Sequence, residues 1–141
     1  MESLEVLSRG KHAFKEASPE DLWEAPFALL SHDTSSPPRF VYSNAKALEA
    51  FETTWEDWIG RPSRDSAEVD EQEARERLLK EVEEKGYSEG YRGVRISAKG
   101  NRFLIENAIL WNVEDDGVRL GQAALIRRWN PLWNLKGHSS W

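Results

Sequence analysis

Arg102-Phe103-Leu104-Ile105-Glu106-Asn107-Ala108-Ile109-Leu110-Trp111 decides the fold. Phe, Ile and Trp favour a pleated, half-buried surface. Lys99-Gly100-Asn101 supplies a tight turn before the segment and Glu114-Asp115-Asp116-Gly117 one after it. The segment therefore reads as the central strand of an antiparallel sheet, with Gly90 to Ser97 before it and Arg119 to Trp129 after it. Side chains alternate along a strand, so Phe103, Ile105, Asn107, Ile109 and Trp111 are expected on one face. Four are large and apolar; one is a carboxamide. An unpaired buried amide costs about 1–3 kcal/mol. Asn107 is thus expected to meet a side chain, a water or a ligand.

Working outward, the chain before this sheet carries strong local signals. Asp70, with Glu73 three residues on, reads as the capping box of a long helix that Gly86 stops, with Val69 and Ala74 as a hydrophobic staple. Ala74, Leu78 and Val82 form its apolar stripe. Glu71–Arg75, Glu73–Arg77, Glu76–Lys80 and Glu81–Lys85 are i,i+4 pairs, so the charge run reads as a solvated helix face. Thr54 with Asp57 opens a single turn that ends at Gly60, and Asn44 caps a short helix to Phe51. Phe40-Val41-Tyr42 and Pro26 to Ser31 read as two more strands, separated by a loop from His32 to Arg39. Ser18-Pro19 opens a helical turn. Met1 to Ala17 suggests an amphipathic helix.

Size and composition narrow the function. The 141 residues fit one domain with a real core. There is no cysteine, which removes disulfides, thiolate metal sites and a cysteine nucleophile. The net charge of -6 argues against a nucleic-acid surface. No apolar run approaches the roughly 20 residues of a membrane span, and the N-terminus lacks a signal-peptide pattern, so a cytoplasmic protein is expected. His12, His32 and His138 show no metal-ligand spacing. Ser63 and Ser66 lack a recognisable His and Asp partner. No enzyme chemistry is therefore expected.

Two strands, short helices, one longer helix, then three antiparallel strands is the order of the PAS fold. Tyr42-Ser43-Asn44 and Trp55 through Pro62 resemble its strand, Asn cap, helix and Gly-Arg-Pro exit. Ser31-His32, Phe40 to Asn44, Pro62-Ser63-Arg64, Gly93 to Ser97, Gly100 to Phe103 and Gly121 to Ala124 resemble the MEKHLA domain family, which is PAS-like. The resemblance runs from about Leu22 to Trp129. It implies an α+β, PAS-like fold: a five-stranded antiparallel sheet with short helices and one longer helix on one face, plus an N-terminal helix. Residues 1–21 would be a helical extension, 22–129 the domain and 130–141 a tail. The implied role is sensory or regulatory. That family also occurs in plant homeodomain–leucine-zipper transcription factors, but this chain has neither module. Gly60-Arg61-Pro62-Ser63-Arg64 resembles, more distantly, the Gly-x-Asn-Cys-Arg signature of flavin-binding light sensors. Ser63 stands in place of the photoreactive cysteine, which excludes the covalent flavin photocycle. Arg64 matches the arginine at the flavin phosphate and keeps a non-covalent flavin open. Haem is not expected, because the long helix has no histidine.

A PAS fold places a pocket between sheet and helices. In register, Tyr91, Gly93, Arg95 and Ser97 share the face of Asn107. Arg95 would meet either an anionic ligand or an internal carboxylate such as Glu106. Gln122 lies in a strand apolar on both faces, so its direction stays open. Tyr42 has a polar tip that suits a ligand or plain core packing. Trp55 and Trp111 suit core or pocket wall, and His32 a turn or a ligand contact. Ser63 and Arg64 complete the candidate ligand set with Tyr91. The other sheet face would carry Val94, Ile96, Leu104, Ala108 and Leu110, an apolar patch that needs a cover. The N-terminal helix, the tail with Trp133 and Trp141, or a second copy could supply it. A homodimer through that outer sheet face or the N-terminal helix is expected. Two functions follow: a module that binds a small molecule and signals through such contacts, or a ligand-free interaction module with a filled core.

Overall fold

The computed structural model describes residues 18–67 and 71–132. Within it the elements are α1 (Pro19–Trp23), β1 (Ala28–His32), β2 (Phe40–Ser43), α2 (Ala45–Ala50), α3 (Trp55–Trp58), a 3-10 turn (Ser63–Ser66), α4 (Gln72–Lys85), β3 (Tyr87–Ile96), β4 (Arg102–Asp115), β5 (Val118–Ile126) and β6 (Arg128–Pro131). The sheet is antiparallel with strand order β2-β1-β5-β4-β3, and β6 also pairs with β4. This is the α+β, PAS-like architecture that the sequence implies. The expected N-terminal helix, the Asp70 cap, the Val69 half of the staple and the tail tryptophans lie outside the described residues.

Local chemistry sets the short helices. Ser18 and Asp21 form a reciprocal capping box around Pro19. The Asn44 side chain accepts from the Ala47 amide and Thr54 from that of Asp57. Gly86, at φ 100°, closes α4 in the left-handed conformation. Asp116-Gly117, both at positive φ, makes the two-residue hairpin turn between β4 and β5.

Two expectations about the sheet are overturned. The single strand from Arg119 to Trp129 is two strands, broken at Arg127, and Asn130 and Pro131 belong to β6 rather than a tail. More consequentially, β4 does not keep one alternation. Asn107 sits at φ 57°, and the pairing with β3 slips there: Tyr91 faces Ala108, but Gly93 faces Ile105. One extra residue in β4 makes a bulge, and a bulge reverses which side chains face which way. Phe103 and Ile105 therefore share a core with Ala108 and Leu110, not with Ile109 and Trp111. Asn is among the few non-glycine residues that tolerate this backbone conformation.

The two cores lie on opposite sheet faces. The inner one joins Leu30, Phe103, Ile105, Ala108 and Leu110 to Ala47, Phe51, Trp58 and Val82 from the helices. Trp58 stacks between Phe40 and Phe51, with ring centroids 4.6 and 5.0 Å away. The outer one joins Leu29, Ile109, Trp111, Ala123 and Leu125, with Leu22, Phe27, Tyr42 and Val113 against them. The expected outer patch is corrected accordingly: Ala108 and Leu110 are internal.

Candidate functional site

The inner core is not completely filled. Between the sheet, the 3-10 turn and α4 lies a cavity of about 70 Å³. Its apolar wall includes Leu30, Phe40, Phe51, Leu79, Ile105, Leu110 and Ile126. Its polar groups are His32, Ser63, Ser66, Arg75, Tyr91, Arg95 and Gln122. Among the described residues no Asp or Glu lines it.

Arg75 is the group that sequence reasoning missed. Expected on the solvated face beside Glu71, it is only 6% exposed and donates to the Ser63 hydroxyl. The core-facing stripe of α4 runs from buried Arg75 through half-buried Leu78 and Leu79 to buried Val82, while Ala74 is exposed. The signal was there: Arg75 stands four residues before Leu79 and seven before Val82, which is the core-facing spacing. Burial, reinforced by the Arg95 charge, pulls its guanidinium down to about 10, still a cation at neutral pH.

Arg95 comes from β3 and is 8% exposed. It donates to the Val94 carbonyl and lies over the Tyr91 ring, 5.2 Å from its centroid. Gly93 makes this possible, because a Cβ there would collide with the Tyr91 hydroxyl. The alternative partner, Glu106, instead sits 3.5 Å from Arg92.

His32 ends β1. Its Nδ1–H donates to the Asp33 carbonyl at 3.0 Å, so in the neutral ring Nε2 carries the lone pair. That Nε2 is buried without a partner among the described residues. Burial lowers its pKa from the ordinary value, and the Arg75 charge adds to the effect. Gly121 lets β5 approach: a Cβ there would run into the His32 carbonyl.

Gln122 lines the cavity but is held by the fold. Its amide nitrogen donates to the Leu79 carbonyl at 2.9 Å and to Asn112 Oδ1 at 3.2 Å, using both hydrogens. Asn112 in turn donates to the Val82 and Glu83 carbonyls, at 3.1 and 3.3 Å. This pair, which sequence reasoning did not single out on β4, ties the C-terminal end of α4 to the sheet.

His32, Ser63, Tyr91, Arg95 and Gln122 thus meet at one cavity, and five other candidates do not. Asn107 is exposed, because the bulge turns it out of the sheet's alternation. Trp111 follows the bulge into the outer core. Tyr42 packs there too, edge-on to Trp55 at 5.9 Å. Trp55 is partly exposed rather than a pocket wall. Arg64 is exposed on the 3-10 turn. A flavin does not fit these residues: the cavity is too small for its ring system, Ser63 offers no thiol, and Arg64 lies outside the lining.

The MEKHLA domain family model matches residues 4–131. No curated protein matches the chain. Solved structures are similar in fold. A PAS domain from Colwellia psychrerythraea has a TM-score of 0.68 at 15% identity, covering 77% of this chain and 90% of that one. The LOV domain of a blue-light activated histidine kinase from Erythrobacter litoralis has a TM-score of 0.60 at 20% identity, covering 73% and 94%. A PAS domain of a LuxR-family transcriptional regulator from Burkholderia thailandensis, solved with ethanol, has a TM-score of 0.59 at 19% identity, covering 75% and 92%.

Proposed function

The chain belongs to the MEKHLA domain family and has the PAS fold of sensory and regulatory domains, and from that premise we propose that its inner cavity binds a small molecule and that occupancy changes how α4 seats on the sheet. The observation that carries this reading is the convergence of Arg75, Arg95 and His32 on a cavity whose wall is mostly apolar. Buried polar groups in a finished core are paired; among the described residues, Arg75 and Arg95 keep donors, and His32 a lone pair, without a partner. Arg75 and Leu79 reach the cavity from α4, and Asn112 and Gln122 grip the same helix further along. A ligand that favours one seating of α4 shifts the population toward it. The output is a homodimer or partner contact through the outer sheet face or the N-terminal segment. A cavity of about 70 Å³ suits a compact ligand, and the Burkholderia thailandensis PAS domain was solved with one, ethanol.

Native mass spectrometry of freshly purified protein, paired with a thermal-shift screen of small organic molecules, tests this. Wild type should carry an added mass or gain stability from at least one compound. Ala124→Leu, which fills the cavity wall, should fold and lose both responses. If wild type responds to nothing and Ala124→Leu is simply more stable, the cavity is a packing void and the reading fails.

A second reading, the ligand-free interaction module, draws on a different observation. Trp23, Val41 and Trp55 are large and exposed, and Trp23 and Trp55 rings lie 6.4 Å apart. Trp55→Ser should then abolish self-association or partner capture while leaving the cavity responses intact.

A further inference from the structure

We infer that the cavity takes a compact organic carboxylate, its head between Arg75 and Arg95 and its short apolar body along Leu30, Ile105 and Leu110. This rests on the reading that the cavity is a ligand site, and adds the ligand's charge and size.

Charge comes first. Two guanidiniums, each more than nine-tenths buried, open on one space with no carboxylate among its described lining residues. Each has five N–H donors in a planar fork. The described bonds take Arg75 to the Ser63 hydroxyl and Arg95 to the Val94 carbonyl. Donors remain on both for a bidentate acceptor, the geometry that carboxylates match. An isolated buried cation is costly, and two facing one another more so. A single negative charge placed between them lowers the cost of both, leaving one net positive charge.

Size and polarity then separate the anions. A cavity of about 70 Å³, at roughly 10–15 Å³ of such space per water, holds about five to seven water-sized groups. That suits a carboxylate of two to four carbons. Most of the remaining lining is hydrocarbon, from Leu30, Leu79, Ile105, Leu110 and Ile126 among others. It rewards a short alkyl chain, whereas the outer oxygens of phosphate or sulfate would lose hydration against it. His32 fits this assignment: neutral, it adds no third positive charge, and its Nε2 lone pair can receive a hydroxyl on the same ligand.

Isothermal titration calorimetry of the intact chain at pH 7.5 and fixed ionic strength tests it, with butyrate, butyramide and inorganic phosphate as probes. Butyramide has nearly the shape of butyrate without its charge. Butyrate should bind at least about tenfold tighter than butyramide, since charge-assisted bonds are the stronger. Arg95→Gln should remove that preference, and phosphate should not compete. Because the two probes are compared on wild type, the test does not depend on a variant folding. Equal binding of butyramide and butyrate would overturn the carboxylate assignment but leave the cavity as a ligand site. Tighter, Arg95-dependent phosphate binding would overturn it in favour of an inorganic oxyanion. If none of the three binds and the neutral compounds of the thermal-shift screen also fail, the ligand-site reading falls with it.

Discussion

Two buried polar clusters share the space between α4 and the sheet, and they are built differently. At one end Asn112 and Gln122 are neutral, and their donors all end on carbonyl oxygens. At the other end Arg75, Arg95 and His32 surround a cavity with donors and a lone pair to spare. The first cluster resembles the Asn44 site, where one fully buried carboxamide accepts from Leu29 and Ala47 and donates to Leu22 and Phe27. Saturation of hydrogen bonds marks an amide that holds the fold. A surplus marks groups kept for something that arrives later, at a cost to the empty protein.

The comparison is sharpest in stability. Asn112→Ala should cost about 1–3 kcal/mol in urea unfolding, because it strands one Gln122 hydrogen and takes a donor from the Glu83 carbonyl and from that of Val82, which keeps only the Gly86 amide. A cost below about 1 kcal/mol would mean water replaces the amide and the cluster is not structural. Arg75→Met should change stability in the opposite sense, raising it by about 1–2 kcal/mol without ligand, as replacing a buried charge by a shape-matched apolar chain often does. If Arg75→Met is as destabilising as Asn112→Ala, the two clusters are alike and the contrast collapses.

Acid should also tell them apart. The folded state holds the His32 pKa below its unfolded value, so the unfolded chain binds the proton more readily. Stability is then complete above the ordinary histidine value and falls as pH drops through it toward the folded value. The groups acting on His32 are Arg75 from α4, Arg119 from β5 and Asp33 beside it. The loss should stay below about 1.4 kcal/mol per pH unit. Comparing unfolding at pH 7.5 and 5.5 in wild type and His32→Gln isolates it from the other histidines; an unchanged slope in the variant would remove His32 from the incomplete cluster. Asn107 should give the smallest effect. Asn107→Gly should be near neutral and Asn107→Ala should cost about 1 kcal/mol, through backbone strain alone. Neither should alter butyrate affinity in calorimetry.

How much of this was legible in the chain depends on the range of the interaction. Ser18, Asn44, Thr54 and Gly86 act within a few residues of themselves, and their caps and stops stand where the sequence puts them. The order of elements, and with it the fold, followed from those marks and from the family resemblance. Arg95, Tyr91, Ser63, His32 and Gln122 reached the cavity because their strands and turn were placed correctly. Arg75 was misread because its neighbours Glu71, Glu76 and Lys80 suggest a solvated face, while its burial depends on the 3-10 turn packed against α4. Asn112 was passed over because its partners lie 29 and 30 residues away.

The bulge at Asn107 has a consequence for reading any such strand. Either side of it, β4 is a regular wave of period two, but the halves run half a cycle out of step. Summed over the whole strand, the two waves interfere and the amphipathic signal cancels. Losing that one residue would bring them back into step and leave Phe103, Ile105, Ala108 and Leu110 as one unbroken inward alternation. At this position the sequence encodes a count, and the identity of the residue matters mainly because asparagine can bear the backbone turn that the count requires.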